Sequence, residues 1–306
     1  MVNQSRMAYI ARNLKRSKYL YAMMLLPFVY LIVFKYLPMY GLIIAFKDFK
    51  IYDGMLGSDW VGFKHFQKFF MDENFVMLLK NTFLLGFYLL LFGFPIPILF
   101  ALLINEIRKK WFKKTVQSLS YLPHFISMVV VVSMVVTFVK VDGLINGITG
   151  IFGFAPISYL LQEEWFRTIF VTSEIWQTLG WSSIIYLAAI SGVDPEQIEA
   201  AVIDGANRWH QVIHVTLPAI ASTIVIMFIL NIGNILDLSF EKVLLLQNPQ
   251  IYETADVIST YVFRKGLEGF QYSYATAVGF FNSIINLCFL VAANQLSKRF
   301  GGSSIW

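Results

Sequence analysis

The sequence predicts an all-α membrane protein with six transmembrane helices. Three observations carry that prediction. First, 57% of the 306 residues are hydrophobic and only 14% are charged, whereas soluble domains hold roughly 25% charged and 45–50% apolar residues. Second, the apolar residues fall into six long runs, and a spanning helix needs about 20 mostly apolar residues. Third, the basic residues cluster beside those runs. That placement is a topology signal rather than a nucleic-acid surface, despite a net charge of +5. The expected surroundings are therefore a lipid bilayer, with no nucleic-acid partner.

The elements follow in chain order. Residues 1–19 read as a basic tail holding Arg6, Arg12, Lys15, Arg16 and Lys18. No small-residue cleavage site follows a short apolar core, so the first run is an uncleaved span. The spans lie near 20–45, 78–104, 119–140, 166–190, 217–239 and 273–296, and together form a permease-like domain over 20–296. Pro27 and Pro38 interrupt the first, and Pro95 and Pro97 the second; such breaks are tolerated where neighbours re-satisfy the backbone. The loop NEIRKKWFKKT, Arg208 between spans four and five, and Lys298 and Arg299 in the tail 297–306 share one side with the N-terminal tail. By the positive-inside rule both termini are cytoplasmic. The opposite connections, near 46–77, 141–165 and 240–272, are rich in aromatic, Gly and acidic residues. Within them IYDGMLGSDWVGFKHFQKFF reads as an interfacial segment. The single cysteine, Cys288, excludes an internal disulfide and any multi-cysteine metal site.

One polar stretch stands out between spans four and five: EAAVIDGANRWHQVIHVTLPAI, residues 199–220, within a cytoplasmic loop over 191–216. Asp194-Pro195-Glu196-Gln197 carries a helix-start signature, with Asp194 as N-cap, Pro195 in the first turn and Gln197 placed to bond back. Gly205 ends or kinks that helix. A second short helix is expected over Ala206 to Val215, with Pro218 in the first turn of the next span. Small side chains at Ala200 and Ala201 let another surface come close, and Glu199 and Asp204 offer anionic contacts.

The spacing resembles the EAA loop of binding-protein-dependent ABC importer permeases: Glu-Ala-Ala, three residues, Gly, nine residues, Ile, one residue, Leu-Pro. Here Glu199-Ala200-Ala201 leads to Gly205, Val215 stands at the Ile place, and Leu217-Pro218 closes the pattern. FKYLPMYGLIIAFKDF, SYLPHFIS, GWSSIIYLAAISGVDPEQIEAAVIDGA and ADVISTYVFRKGL are similar to the permease group serving oligo- and polysaccharide importers, best known from Gram-positive bacteria. The resemblance implies a type I ABC importer permease fold in the bacterial cell membrane. It also implies that Glu199, Ala200, Ala201, Asp204 and Gly205 form a coupling helix seated on a dimer of ATPase subunits, which hold the ATP and Mg. The other implied partners are a second, usually non-identical permease, an extracellular solute-binding protein and an oligo- or polysaccharide. The chain itself has no G-x-x-x-x-G-K-[ST], so no P-loop cradles phosphate; no cofactor, metal or catalytic residue is assigned to it.

Ionisable and amide residues inside spans are costly and point to function. Glu174 and Trp176 lie in TSEIWQTLGWSSIIY, and Asn231, Asn234 and Asp237 in ILNIGNILDLSF. At three-residue spacing the last three would share a helix face. Together the five are the candidate substrate pathway, with Trp181 and Tyr186 as further aromatic faces; bonding between helices is the structural alternative. His210 and His214 stand at i and i+4 but lack a third ligand, so they read as loop polarity. A gradient-driven transporter should show inverted repeats and charged relays, and a membrane enzyme a converging catalytic set. Neither pattern is present.

Overall fold

The computed structural model describes residues 17–299; Arg6, Arg12, Lys15 and Arg16 fall outside them. A long helix, α1 (Lys18–Phe46), leads into a two-stranded hairpin, β1 (Lys47–Asp48) and β2 (Asp59–Trp60), and a short helix α2 (Lys64–Phe70). Helix α3 (Phe75–Asn105) precedes α4 (Lys110–Tyr121), α5 (Met128–Val139) and α6 (Leu144–Ile151). Helix α7 (Glu163–Ser191) runs 29 residues to the polar loop. That loop holds α8 (Pro195–Ile203), followed by α9 (Arg208–Ala219) and α10 (Ala221–Gly233). Then come α11 (Phe240–Leu246), α12 (Tyr252–Ala255), α13 (Ile258–Phe263) and α14 (Tyr272–Arg299).

Among the described residues four helical runs are long and apolar enough to cross a membrane: α1, α3, Met128–Ile151 (α5 with α6) and α14. The pair α9–α10, bent by 64°, makes a fifth if counted as one span. Helix α7 is long enough, but Glu163, Glu164, Arg167 and Glu174 make it more polar than the others. The expected third span, 119–140, begins instead at Met128: Leu122–Phe125 is a 3-10 turn around Pro123, and Ile126 and Ser127 are extended. Lys298 and Arg299 belong to the last turn of α14 rather than to a tail.

Prolines shape the spans. A proline lacks the N–H for its helical bond and its ring crowds the carbonyl four residues back. Three wide π-turns, Ile32–Tyr36, Leu89–Gly93 and Val212–Thr216, each end two residues before a proline: Pro38, Pro95 and Pro218. The wider register absorbs the lost bond without breaking the helix. Pro218 therefore sits inside α9, and the bend falls at Ile220, not at the start of a straight span.

Two of the four buried apolar clusters among the described residues frame the site. Leu85, Val132, Phe166, Phe170, Val243 and Leu246 join α3, α5, α7 and α11. Ile98, Leu102, Tyr186, Ile190, Val212 and Ile220 join α3, α7 and α9 nearer the polar loop. The segment expected to be interfacial, 51–70, supplies the turn and second strand of the hairpin and then α2: Lys47 pairs with Trp60, and Trp60 stacks on Phe46 at 5.8 Å. The Lys47 ammonium donates to the Met55 and Leu56 carbonyls at 2.8 and 3.0 Å.

Candidate functional site: a capped surface loop and a polar cavity

The polar loop is built by local rules. The Asp194 carboxylate accepts the Glu196 N–H at 3.0 Å, capping α8, and Pro195 opens the helix. At the other end Gly205 takes a φ of +80°, the left-handed region that glycine enters without a Cβ penalty. The Ala206 N–H returns to Ala201 O at 2.9 Å and the Gly205 N–H to Val202 O at 3.0 Å. That pair of bonds is a Schellman motif. Asn207 then caps α9 by accepting the His210 N–H at 2.9 Å. The second helix thus starts at Arg208 and continues to Ala219, rather than spanning 206–215. Arg208 reaches Glu106 at 3.1 Å across to α3, an exposed pair of modest energy.

Glu199, Ala200, Asp204 and Gly205 are exposed and Ala201 is half-buried. Large apolar residues stand beside them: Val202, Ile203 and Trp209 are exposed, Ile203 by 85%. Sequence reading passed over these three. Val202 and Ile203 carry a signal, an apolar pair just before Gly205 in an otherwise polar loop, and Trp209 follows that glycine. His210 and His214 stack at 5.7 Å, and His210 Nδ1 lies 2.8 Å from Asn207 Oδ1.

The second region lies mid-bundle. Helix α10 ends at Gly233; Asn234 is its C-cap and Asp237 lies beyond, in a turn where its N–H donates to Asn234 O at 2.9 Å. The expected stripe along one helix face is therefore corrected: a turn, not a helix, groups these residues. Gly86 permits it, because a Cβ there would fall 1.8 Å from Ile235 O. The turn lies directly on the α3 backbone, and the Leu236 N–H is held by Asn286 Oδ1 of α14 at 3.2 Å. Asn231, Asn234 and Asp237 still share one cavity of about 330 Å³ with Gly86 and Leu89. Asn231 also lines a second cavity of about 260 Å³ with Phe94, Trp181 and Tyr186. Asn231 and Asn234 donate their amides back to Met227 O and Leu230 O.

Glu174 and Trp176 go elsewhere. Residues two apart on a helix do not face one another. Trp176 lines a separate apolar cavity with Phe138 and Ile169. Glu174 points to α11: its Oε2 lies 2.9 Å from Lys242 Nζ, and its Oε1 accepts from Ser239 Oγ at 3.1 Å. Lys242 is fully buried and also donates to Gln177 Oε1 at 3.3 Å. A buried lysine needs such partners, and this pair fastens the Asp237 turn to α7.

Comparison with known proteins is consistent across three kinds of evidence. Residues 93–302 match the family model of the binding-protein-dependent transport system inner membrane component. A polygalacturonan/rhamnogalacturonan transport system permease protein of Bacillus subtilis (strain 168) is 50% identical over 295 residues, 96% of this chain and 92% of that one. An arabinooligosaccharides transport system permease protein of the same organism is 26% identical over 76% of this chain and 74% of that one. Among solved structures, a bacterial ABC transporter involved in import of the acidic polysaccharide alginate superposes with a TM-score of 0.87 at 44% identity, covering 95% of this chain and 98% of the other. A bacterial alginate ABC transporter in complex with alginate pentasaccharide-bound periplasmic protein gives 0.87 at 43%, covering 96% and 99%.

Proposed function

Because the chain belongs to the binding-protein-dependent transport system inner membrane components, as the permease subunit of a carbohydrate ABC importer, we propose that α8 and its closing turn dock a separate ATPase, while the cavities meeting at Asn231 form this subunit's half of the glycan path. The chain is a transport subunit, not an enzyme. Glu199, Ala200, Ala201, Asp204 and Gly205 form the docking face, with Ile203 and Trp209 as apolar anchors. Exposed, well-placed aliphatic and aromatic groups of this kind dominate interface energies once buried.

The observation that carries the reading is the continuity of α7. One helix of 29 residues, about 43 Å long, lines the path with Trp181 and Tyr186 and ends three residues before the α8 cap. Displacement of α8 by ATP-driven closure of an ATPase dimer is delivered to the path through this rod. Glu174 and Lys242 carry it onward to the Asp237 turn. A second, non-identical permease completes the path, and a solute-binding protein delivers the glycan at the end remote from α8. The α8 side, with both termini, faces the cytoplasm.

Acidic oligosaccharides are the first substrates to try, since the similar importers handle polygalacturonan/rhamnogalacturonan and alginate. Among the described residues Asp237 is the only charged one lining the two cavities that share Asn231. A uronate chain would therefore lay its hydroxyl edge on this half and turn its carboxylates to the partner.

The test uses the reconstituted importer. Glu199→Lys should insert normally but lose glycan-stimulated ATPase; normal stimulation and uptake would remove the docking role. Asn234→Ala with Asp237→Ala should weaken uptake while the ATPase still co-purifies. Unchanged uptake kinetics would make those residues purely structural.

A further inference from the structure

A cavity of about 530 Å³ lies at the end of the bundle remote from α8. The chain itself fixes that position. Thr254 Oγ1 of α12 donates to the carbonyl of Glu163, the first residue of α7, at 3.2 Å, whereas α8 follows the last residue of α7. Helix α13 comes directly after α12 and forms one wall. The first half of α14 forms another, and Phe240 closes a third. The volume falls within the roughly 300–1,000 Å³ of small-molecule pockets.

Its lining is chemically mixed. Phe240, Phe263, Tyr272 and Phe280 contribute aromatic rings, Ser259 and Asn282 contribute polar groups, and no charged residue takes part among the described residues. Ser259 Oγ and Asn282 Oδ1 are both shielded from solvent with no hydrogen-bond partner among the described residues. Two orphaned oxygens, one on each of two facing elements of a single cavity, are unusual in a folded chain, and each is costly until satisfied. Both oxygens belong to side chains that line the cavity.

Aromatic rings beside unused oxygen acceptors match a pyranose, whose C–H faces stack on rings while its hydroxyls donate hydrogen bonds. A lipid chain would fill the space but leave both oxygens orphaned. Phe240 also lies only three residues beyond Asp237, so this cavity and the Asn231 cavity adjoin the same turn. We propose that this cavity is a second glycan subsite, which holds the uncharged face of a sugar unit before the chain reaches the Asn231–Asp237 cavity. The proposal rests on the reading of that second cavity as the path.

The test uses the full importer in liposomes, with second permease, ATPase and binding protein, without nucleotide for the alkylation arm and with ATP for the ATPase arm. Cys288, the single cysteine, is replaced by Ser, and Ser283, in the cavity lining, by Cys. Alkylation by a maleimide is followed with an alginate or a polygalacturonan oligosaccharide. Glycan should slow alkylation severalfold relative to binding protein alone. In a second arm Asn282→Leu removes an orphaned acceptor. It should keep or raise thermal stability yet raise the glycan concentration for half-maximal ATPase stimulation about three- to tenfold. A structural role predicts the reverse pattern, lost stability with unchanged half-maximal concentration. The proposal is overturned by that pattern, by glycan-independent protection at position 283, which would mean lipid or partner chain fills the cavity, or by equal slowing at a control Met71→Cys on the exposed loop. If Asn231→Ala weakens uptake while Asn282→Leu and the alkylation arm do nothing, the subsite falls and the path stands. If none of them has an effect, both fall.

Discussion

The buried Glu174–Lys242 pair gives the sharpest quantitative expectation. Lys242 has no exposed side-chain surface, Glu174 has 15%, and 2.9 Å separates the charged atoms. Replacing Glu174 by Leu leaves the ammonium, among the described residues, with the longer Gln177 hydrogen bond at 3.3 Å and the Phe170 ring at 5.9 Å. Removing one partner of a buried pair costs about 3–5 kcal/mol, whereas replacing both by well-packed apolar residues is often neutral or stabilising. Against a net stability of about 5–15 kcal/mol the single change is severe. Thermal unfolding of the purified importer, arranged as a double-mutant cycle over Glu174→Leu and Lys242→Met, measures it. The single variants should each lose several kcal/mol, and the double variant should recover to within about 1 kcal/mol of the parent. Uptake by the double variant then separates two roles. Retained uptake makes Glu174 a brace for the Asp237 turn; lost uptake in a stable double variant makes it a pathway group. Single variants that cost less than about 1 kcal/mol, or a double variant no better than the worse single, would refute the assignment of a desolvated, mutually dependent pair.

Gly86→Ala should abolish uptake while leaving the ATPase attached, because its Cβ would overlap Ile235 O and displace the turn; co-purification and uptake assays read the two effects separately. Gly205→Val should cost about 1–2 kcal/mol at its left-handed backbone and should weaken ATPase co-purification. His65 is held below its ordinary value of 6.5 by burial, which outweighs its bond to the Lys47 carbonyl. The unfolded chain therefore binds more protons in the window below 6.5, so stability falls as pH drops through it. Thermal midpoints at pH 7.5 and 5.5 should differ less in His65→Gln than in the parent.

What was legible in the sequence divides along a physical line. The loop around Glu199 could be read because caps and turn glycines act within a few residues: Asp194, Pro195 and Gly205 all do what their side chains and backbone preferences dictate. The apolar runs likewise announced α1, α3 and α14. The Asp237 turn was hard to read, since Gly233-Asn234 in ILNIGNILDLSF is a short-range stop signal that an apolar span can override. The stop depends on Gly86, almost 150 residues earlier, leaving room for Ile235 O. Lys242 was hidden for a related reason. Amid FEKVLLL it looked like part of an outer connection, and only the fold places Glu174 beside it. Glu174 and Trp176, adjacent in the reading, were separated by the helix period itself.

The exposed Ile203 and Trp209 carry a cost for any cell that makes this subunit alone. Until something covers them, the chain offers an adhesive apolar patch of the kind that promotes aggregation. An excess of this subunit over its partners is therefore a burden, and synthesis in matched stoichiometry the economical arrangement. For the bench, co-expression with the remaining subunits should yield more monodisperse material than expression of the chain by itself.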